Sequence, residues 1–535
     1  MRPRPVSPAS AWQLRVPGSA LPRWMAETAA MLRRVTSAPG DVVAVAGSAA
    51  PRDLTTHWPW RLDAALFGHS RALAATGAAA APSQADGAEL IVDLVSSTTG
   101  SAIAVTTLGG HLMLRVEGLP AARLAEAIEL ALGAGRGQVN MEAVWQPPGR
   151  PASNVVWHCG IDERSRHRSV DMVADKLIRL AEHMITRSVH GANPLSNALP
   201  DDAPEGAEVF DTPGPTWRAL RHVARRLFWV DQWAITVHQN VADEVLLPTA
   251  QGIDLIPPPD RFWADPFLVR QGTRLWVFFE ELLYATGRGH LACVSIDENG
   301  AVSAPVTVLQ ANCHLSYPQV IEHAGHWYML PESSANRNLV LYRADALPGP
   351  WQPVAELLSG MRVADAALHH DGSRWWITAT VASQRGCIND ELHLFSAPDL
   401  FGPWHPIADN PVRVDPASAR PAGPWFRWRG RWVRPVQDCR LRYGRAIQLL
   451  AVKRIDARGV ADESLGLLAP KAGGSIDCVH TYTRVGSDLA VDWLRWRRKG
   501  ASEPVSGFHD IEWRPSAQGS ALPAGLAPGV MSRAA

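Results

Sequence analysis

Hydrophobic and polar positions follow two rhythms along this chain, and the rhythm changes near residue 190. Before it, short β-branched runs such as "DVVAVAG" (41–47) and "ELIVDLVSS" (89–97) read as buried strands. "AARLAEAIELAL" (121–132) is rich in strong helix formers. "SVDMVADKLIRLAEHMITRSV" (169–189) sets Val173, Leu177, Leu180 and Met184 at helical spacing, one face for packing on a sheet. Alternating strands and helices predict an α/β domain over residues 1–190. A Pro-, Gly-, Asp- and Ala-rich linker follows, then a short basic helix, "TWRALRHVARRLF" (216–228), so 191–230 reads as linker plus helix. Its arginines suit peripheral contact with an acidic lipid surface, though a solvated face is the ordinary reading.

Past residue 230 the period shortens to strands and turns, and the pattern repeats. "ADPFLVRQGTRLWVFFEE", "SYPQVIEHAGHWYMLPES", "ADAALHHDGSRWWITAT", "ARPAGPWFRWRGRWVRPVQD" and "HTYTRVGSDLAVDW" each run polar residue, strand, glycine turn, aromatic strand. Their starting residues are Asp265, Tyr317, Asp365, Arg420 and His480, at intervals of 52, 48, 55 and 60 residues. Their turn glycines are Gly272, Gly325, Gly372, Gly430 and Gly486, where a hairpin needs positive φ. Intervals of that length hold four short strands, so 231–500 reads as an all-β five-bladed β-propeller. "QWAITVHQ" (232–239) is placed to pair with the last blade and close the ring. Residues 501–535 read as a tail, poorly ordered at its end.

In such a ring the starting residues converge on the axis, which explains an aspartate inside "FWADPFLV" (262–269). Asp265, Asp365 and Glu332 are then the candidate catalytic carboxylates. Paired carboxylates serve glycosidic chemistry, one activating water or sugar and one protonating the leaving oxygen. Tyr317, His314, Arg337, Arg420, Asp438 and His480 are the candidate substrate-binding residues, the guanidinium groups matching phosphate or carboxylate. The bland reading has the aspartates hydrogen-bonding backbone amides at blade turns, and the arginines neutralising them.

Composition narrows the classes. Lys+Arg and Asp+Glu balance at 52 each, so no net field draws nucleic acid. No apolar run is long enough to span a membrane, and the N-terminus carries no apolar signal core. Six scattered cysteines with no C-x-x-C spacing read as free thiols in a reducing compartment, hence a cytoplasmic placement with no metal and no cofactor. Twenty-two tryptophans suit blade cores, with one or two at a mouth that stacks on sugar rings.

"FWADPFLV", "YMLPESSANRNLVLYRA", "VADAALHHDGSRWWI", "SARPAG" and "RPVQDCRLRYGRAI" together resemble the N-terminal propeller of the glucosamine inositolphosphorylceramide transferase family, plant proteins with bacterial relatives. That domain is similar to the propellers of family 43 glycoside hydrolases. The resemblance implies a general-base position at Asp265 and a pKa-modulating carboxylate at Asp365. The hydrolases' general-acid Glu falls where this chain reads Ala419-Arg420-Pro421, leaving Glu332 or Asp438 as substitutes. The family's transferase chemistry belongs to a separate C-terminal domain. More faintly, "ELIVDLVSS" and "SRHRSVDMVADKLIRLAEHM" resemble a degenerate formyltransferase-like domain without its Asn, His-Pro-Ser and Asp signature. The reading is a bacterial, cytoplasmic carbohydrate-active protein whose funnel binds a glycan, sugar phosphate or glycolipid headgroup. If it is active, it is glycosidase-like or glycosyltransferase-associated; the alternative is a non-catalytic carbohydrate-binding scaffold.

Overall fold

The computed structural model describes residues 11–18, 20–45, 48, 51–82, 88, 90–96, 110–147, 152–189, 214–382, 388–500 and 507–516. The segment 191–213 expected as a linker, and most of the expected tail, lie outside these. Two compact units are present, one formed mainly by residues up to Ala224 and one mainly from Arg225 onward.

The first unit is an α/β sheet. Its strands run in the order Ser153–Gly160, Gln138–Gln146, Gly110–Val116, Leu90–Asp93, Trp12–Val16, Gly40–Ala44, Ala81–Pro82. The last five are mutually parallel, and the first two are antiparallel additions. Helices α1 (Arg23–Thr36), α2 (Trp58–Phe67), α3 (Leu124–Gly133) and α4 (Arg166–Val189) complete it. In α4, Val173, Leu177, Leu180 and Met184 are fully buried, so the spacing in the sequence marks the face that packs. Asp93 ends its strand by accepting bonds from the Val95 and Ser96 amides and the Ser96 hydroxyl. Those bonds and His111 hold its carboxyl at about 2, against the opposing effect of burial.

The second unit begins within helix α5 (Pro215–Phe228) and continues as five antiparallel sheets. Blade 1 spans Arg261–Leu309, blade 2 Ser316–Ser359, blade 3 Arg362–Val414, and blade 4 Phe426–Pro470 with Ile511–Pro515 added. Blade 5 combines both ends of the ring: Trp229–His238 pairs along Asp488–Arg498, as the strand at 232–239 was expected to. That pairing leaves neither of the two strands as an open edge. All five turn glycines have positive φ, between 58° and 106°.

Aromatic and aliphatic side chains fill the spaces between blades. Phe267, Phe278 and Leu291 of blade 1 meet Tyr317, Met329 and Trp351 of blade 2. Tyr328 and Leu339 meet Leu368 and Trp375 across the next space. Trp493, fully buried, packs in the space between blades 4 and 5 and donates Nε1–H to the Thr236 hydroxyl at 2.9 Å. Each such side chain contributes about 1.5–3 kcal/mol by leaving water. Most of the tryptophans are therefore accounted for by packing before any ligand is invoked. The five described cysteines are buried free thiols, and Cys387 lies outside the described residues.

Candidate functional site

The inner strands of blades 1, 2 and 3 share a device that the repeat alone does not reveal. Each pairs with its neighbour through a bulge, between Ala264 and Phe267, Ser316 and Gln319, and Ala364 and Ala367. Inside each bulge sits the starting residue, and all three have left-handed backbones: Asp265 at φ 53°, Tyr317 at 50°, Asp365 at 49°. A bulge bends the strand and re-aims one side chain. Holding a non-glycine residue there costs on the order of 1–3 kcal/mol, so the neighbours must over-determine it. They do so through the freed amides. Asp265 N–H donates to Asp492 Oδ2 at 2.9 Å, Tyr317 N–H to Asp265 Oδ2 at 3.2 Å, and Asp365 N–H to Glu332 Oε2 at 3.0 Å. Carboxylates from the propeller interior thus lace one blade to the next.

The device stops at blade 3. Arg420 and His480 do not share the positive φ, and around Arg420 the inner strand is reduced to a bridge between Pro421 and Val436. Gly423 explains part of this. A β-carbon there would lie 2.0 Å from the Tyr482 carbonyl oxygen, so blades 4 and 5 approach through bare backbone. The Gly423 N–H donates to the Tyr317 hydroxyl at 2.6 Å, which ties blade 2 across the axis to blade 4.

Two groups of charge result. In the first, Asp265 accepts from the Thr481 hydroxyl at 2.8 Å and lies 3.3 Å from His480 Nε2. His480 Nδ1 is 2.7 Å from Asp492 Oδ2, and the imidazole lies against Trp233 with ring centroids 4.1 Å apart. Burial pushes the Asp265 carboxyl up to about 7, with Asp365 and Glu280 adding to it and His480 opposing. Burial opposes the protonation of His480, but Asp492 and Asp265 outweigh it and raise the imidazole to about 9. One ligand atom from each of Asp265, His480 and Asp492 falls within 4.8 Å of the others, so a cation also fits there by geometry.

In the second group, Asp365 Oδ2 accepts from Arg420 Nε at 2.5 Å and from Gln437 Nε2 at 2.7 Å. Arg420 also donates to Asn389 Oδ1 at 2.6 Å and lies 4.6 Å from the ring centre of Tyr443. Burial and the Asp365 charge lift Glu332 to about 8, opposed by Arg420, which makes it a neutral acid at pH 7. Tyr443 is 41% exposed while burial raises its hydroxyl well above the ordinary phenol range, so the residue runs from the buried cluster to the surface.

Asp265, Asp365, Glu332, Tyr317, Arg420 and His480 therefore meet in one electrostatically linked cluster. His314 reaches it through Glu280, 3.2 Å away, whose hydrogen bond raises the imidazole. Two candidates fall elsewhere. Arg337 terminates a short 3-10 turn and donates to the Gly360 carbonyl at an exposed position. Asp438 is ion-paired with Arg445, because strand alternation turns it to the face opposite Gln437. The sequence reading missed Thr481, Asp492, Gln437, Asn389, Trp233 and Tyr443. Asp492 alone carries a signal, a carboxylate inside the apolar run "LAVDWLRW".

Comparison with known proteins now adds to this geometry. The family described as "Glucosamine inositolphosphorylceramide transferase 1, N-terminal" matches residues 230–466. That match lies within the propeller. Proteins named glucosamine inositolphosphorylceramide transferase 1 match from Oryza sativa subsp. japonica, 33% identical over 201 residues, and from Arabidopsis thaliana, 32% over 198. These cover 37% and 36% of this chain but 27% and 26% of the relatives, so the matched part spans about a quarter of their length. Among solved structures, a family 43 β-xylosidase/α-arabinofuranosidase from a compost microbial metagenome aligns at 12% identity and TM-score 0.35. It covers 47% of this chain and 97% of its own. A family 117 glycoside hydrolase from Zobellia galactanivorans aligns at 11% and 0.33, covering 49% and 91%. The propeller assignment rests on the strand pairing above.

Two expectations are corrected. The matched relatives come from rice and Arabidopsis, which overturns the bacterial setting. They are named for an inositolphosphorylceramide, a membrane sphingolipid, which conflicts with the cytoplasmic placement. Among the described residues, no helix is long and apolar enough to cross a membrane.

Proposed function

We propose that the axial cluster recognises the sugar-bearing headgroup of a glycolipid and does not hydrolyse it by the family 43 route. The observation that carries this reading is the buried Asp365–Arg420 pair, completed by Gln437. Where a hydrolase needs a proton donor, this chain holds a cation that cannot give up its proton near neutrality. That cation is already spent on the modulating carboxylate, while its far face carries Tyr443. An exposed ring over a fixed charge suits stacking on a pyranose, with Asn389 and His314 at hand for hydroxyl or phosphate oxygens. The names of the rice and Arabidopsis relatives support glucosamine and inositolphosphorylceramide as a choice of probe.

One observation favours a second, catalytic reading. Asp265 and Glu332 are both carboxyls with raised pKa values, a base and an acid of the kind glycosidic chemistry uses. Calorimetry of the full chain with glucosamine, inositol 1-phosphate and a short-chain inositolphosphorylceramide separates the two. Binding of one of these, weakened about tenfold in Tyr443→Ala and without turnover, supports recognition. Release of aryl alcohol from aryl glycosides, abolished in both Asp265→Asn and Glu332→Gln, would replace it with hydrolysis. Neither binding nor turnover would return the cluster to a purely structural role.

A further inference from the structure

Helix α5 turns its apolar side outward. Trp217, Leu220, Ala224, Leu227 and Phe228 recur at spacings of three, four, three and one, which at 3.6 residues per turn places them on one stripe. In a globular helix that stripe faces the core. Here Trp217, Leu220, Leu227 and Phe228, with Trp229 just beyond, are between 36% and 64% exposed, while Arg218 and Ala219 are buried.

Charge along the helix selects the surface it would meet. The helix contains Arg218, Arg221, His222, Arg225 and Arg226 and no acidic residue, in a chain whose formal charge sums to zero. Arg221 borders the apolar stripe, and Arg221 and Arg226 are exposed. At the C-terminal end Trp229 is paired in register with Arg498, and Arg498 and Lys499 are exposed as well. The helix end is held in place by backbone and side chain. Lys499 N–H donates to the Phe228 carbonyl at 2.9 Å, and Arg225 reaches Asp477 at 2.6 Å with its guanidinium 5.1 Å from the centre of the Trp496 ring. Tryptophan, phenylalanine and leucine beside arginine and lysine, on a helix too polar to insert, is the make-up of an interfacial helix.

We propose that α5 is a membrane-docking helix, its Trp217–Leu220–Leu227–Phe228 stripe seated among lipid chains and its arginines on anionic headgroups. This inference rests on the helix's own residues and does not depend on the recognition proposed at the propeller axis. It accounts for an exposed aromatic stripe that a solvated helix would not retain. A second copy of this chain is the competing occupant, and it gives a different outcome below.

The test is co-sedimentation of the full chain with vesicles of phosphatidylcholine containing about 30% phosphatidylserine, against phosphatidylcholine alone. Two variants accompany it, Leu220→Ser with Phe228→Ser, and Arg221→Glu with Arg226→Glu. All four positions are exposed, so thermal unfolding should match the parent and serves as the folding control. Expected is binding to the anionic vesicles that falls about tenfold in each variant and weakens with salt. Sedimentation no greater than with phosphatidylcholine alone, or binding unchanged in both variants, overturns the proposal. So does a dimer seen by light scattering that both variants dissolve while vesicles are ignored.

Discussion

The two halves of the propeller axis neutralise a buried aspartate by different means. Asp265 faces an imidazole, His480, which itself leans on Asp492. Asp365 faces a guanidinium, Arg420, steadied by Gln437 and Asn389. The first pair can gain or lose a proton near neutrality, since its members titrate at about 7 and about 9. The guanidinium of the second cannot, because an arginine keeps its charge throughout the accessible range. An ordinary buried ion pair is poor evidence of stability, as desolvation opposes the attraction. What distinguishes these two is how much each loses when one partner is removed, and how each answers pH.

The sharpest break is Arg420→Met. It leaves Asp365 buried without its cation, held by Gln437 and by its side-chain hydrogen bond with Glu332, and should cost about 3–5 kcal/mol in urea unfolding. Adding Asp365→Asn should recover part of the loss, since the stranded charge is then gone. No recovery would mean that Arg420 acts through packing on Tyr443 instead. His480→Gln should cost less, about 2–3 kcal/mol at pH 7, because Asp265 already sits close to protonation and can take up a proton in place of the lost cation. Equal losses in the two variants would erase the distinction between the halves.

Rising pH should weaken the fold through the imidazole half. A group whose pKa is higher in the folded state holds a proton that the unfolded chain has released. Stability is then fully present below the unfolded value and lost as pH passes the folded one. For His480 that window runs from its ordinary 6.5 to about 9, for Asp265 from 3.8 to about 7, and for Glu332 from 4.5 to about 8. All three have the same sign. Urea midpoints should therefore fall between pH 6.5 and 9, the unfolding free energy dropping by up to ~1.4 kcal/mol per pH unit for each proton held only in the fold. In His480→Gln the decline above pH 8 should flatten. A midpoint that stays flat over this range would show that none of the three holds a proton in the fold that the unfolded chain has released.

How much of this was legible in the chain follows from the range of each interaction. The turn glycines and the buried face of α4 were readable because each is fixed by residues within a few positions of one another, the blade period because it repeats, and the closing strand because a ring needs one. The convergence of Asp265, Asp365 and His480 was readable from the repeat. Their partners were not. Thr481 and Asp492 reach Asp265 across 216 and 227 residues, and nothing local in "HTYTRV" singles out the threonine. Nor does a repeat disclose its own exceptions. The bulge that aims Asp265, Tyr317 and Asp365 is lost at Arg420, where the chain instead brings Gly423 against the Tyr482 backbone. Arg337 looked equivalent to the other arginines by composition, but it follows a 3-10 turn that carries it off the axis.

The smallest expected effect on stability falls on the residue that most directly tests recognition. Tyr443→Ala removes an exposed ring that stacks on Arg420 and sits 5.4 Å from the His480 ring, so it touches both halves while supporting neither from within the core. Truncation at so exposed a position should shift the unfolding free energy by no more than about 1 kcal/mol, the scale of an exposed cation–π contact. If the ring is instead a platform for a sugar, affinity for the headgroup probe should fall about tenfold, and Tyr443→Phe should restore it because stacking needs the face and not the hydroxyl. A Phe variant that binds as poorly as Ala would move the recognition from the ring to the hydroxyl. A large stability loss in Ala would instead make Tyr443 part of the clamp on Arg420, and the open face of the cluster would have to be sought around His314 and Asn389.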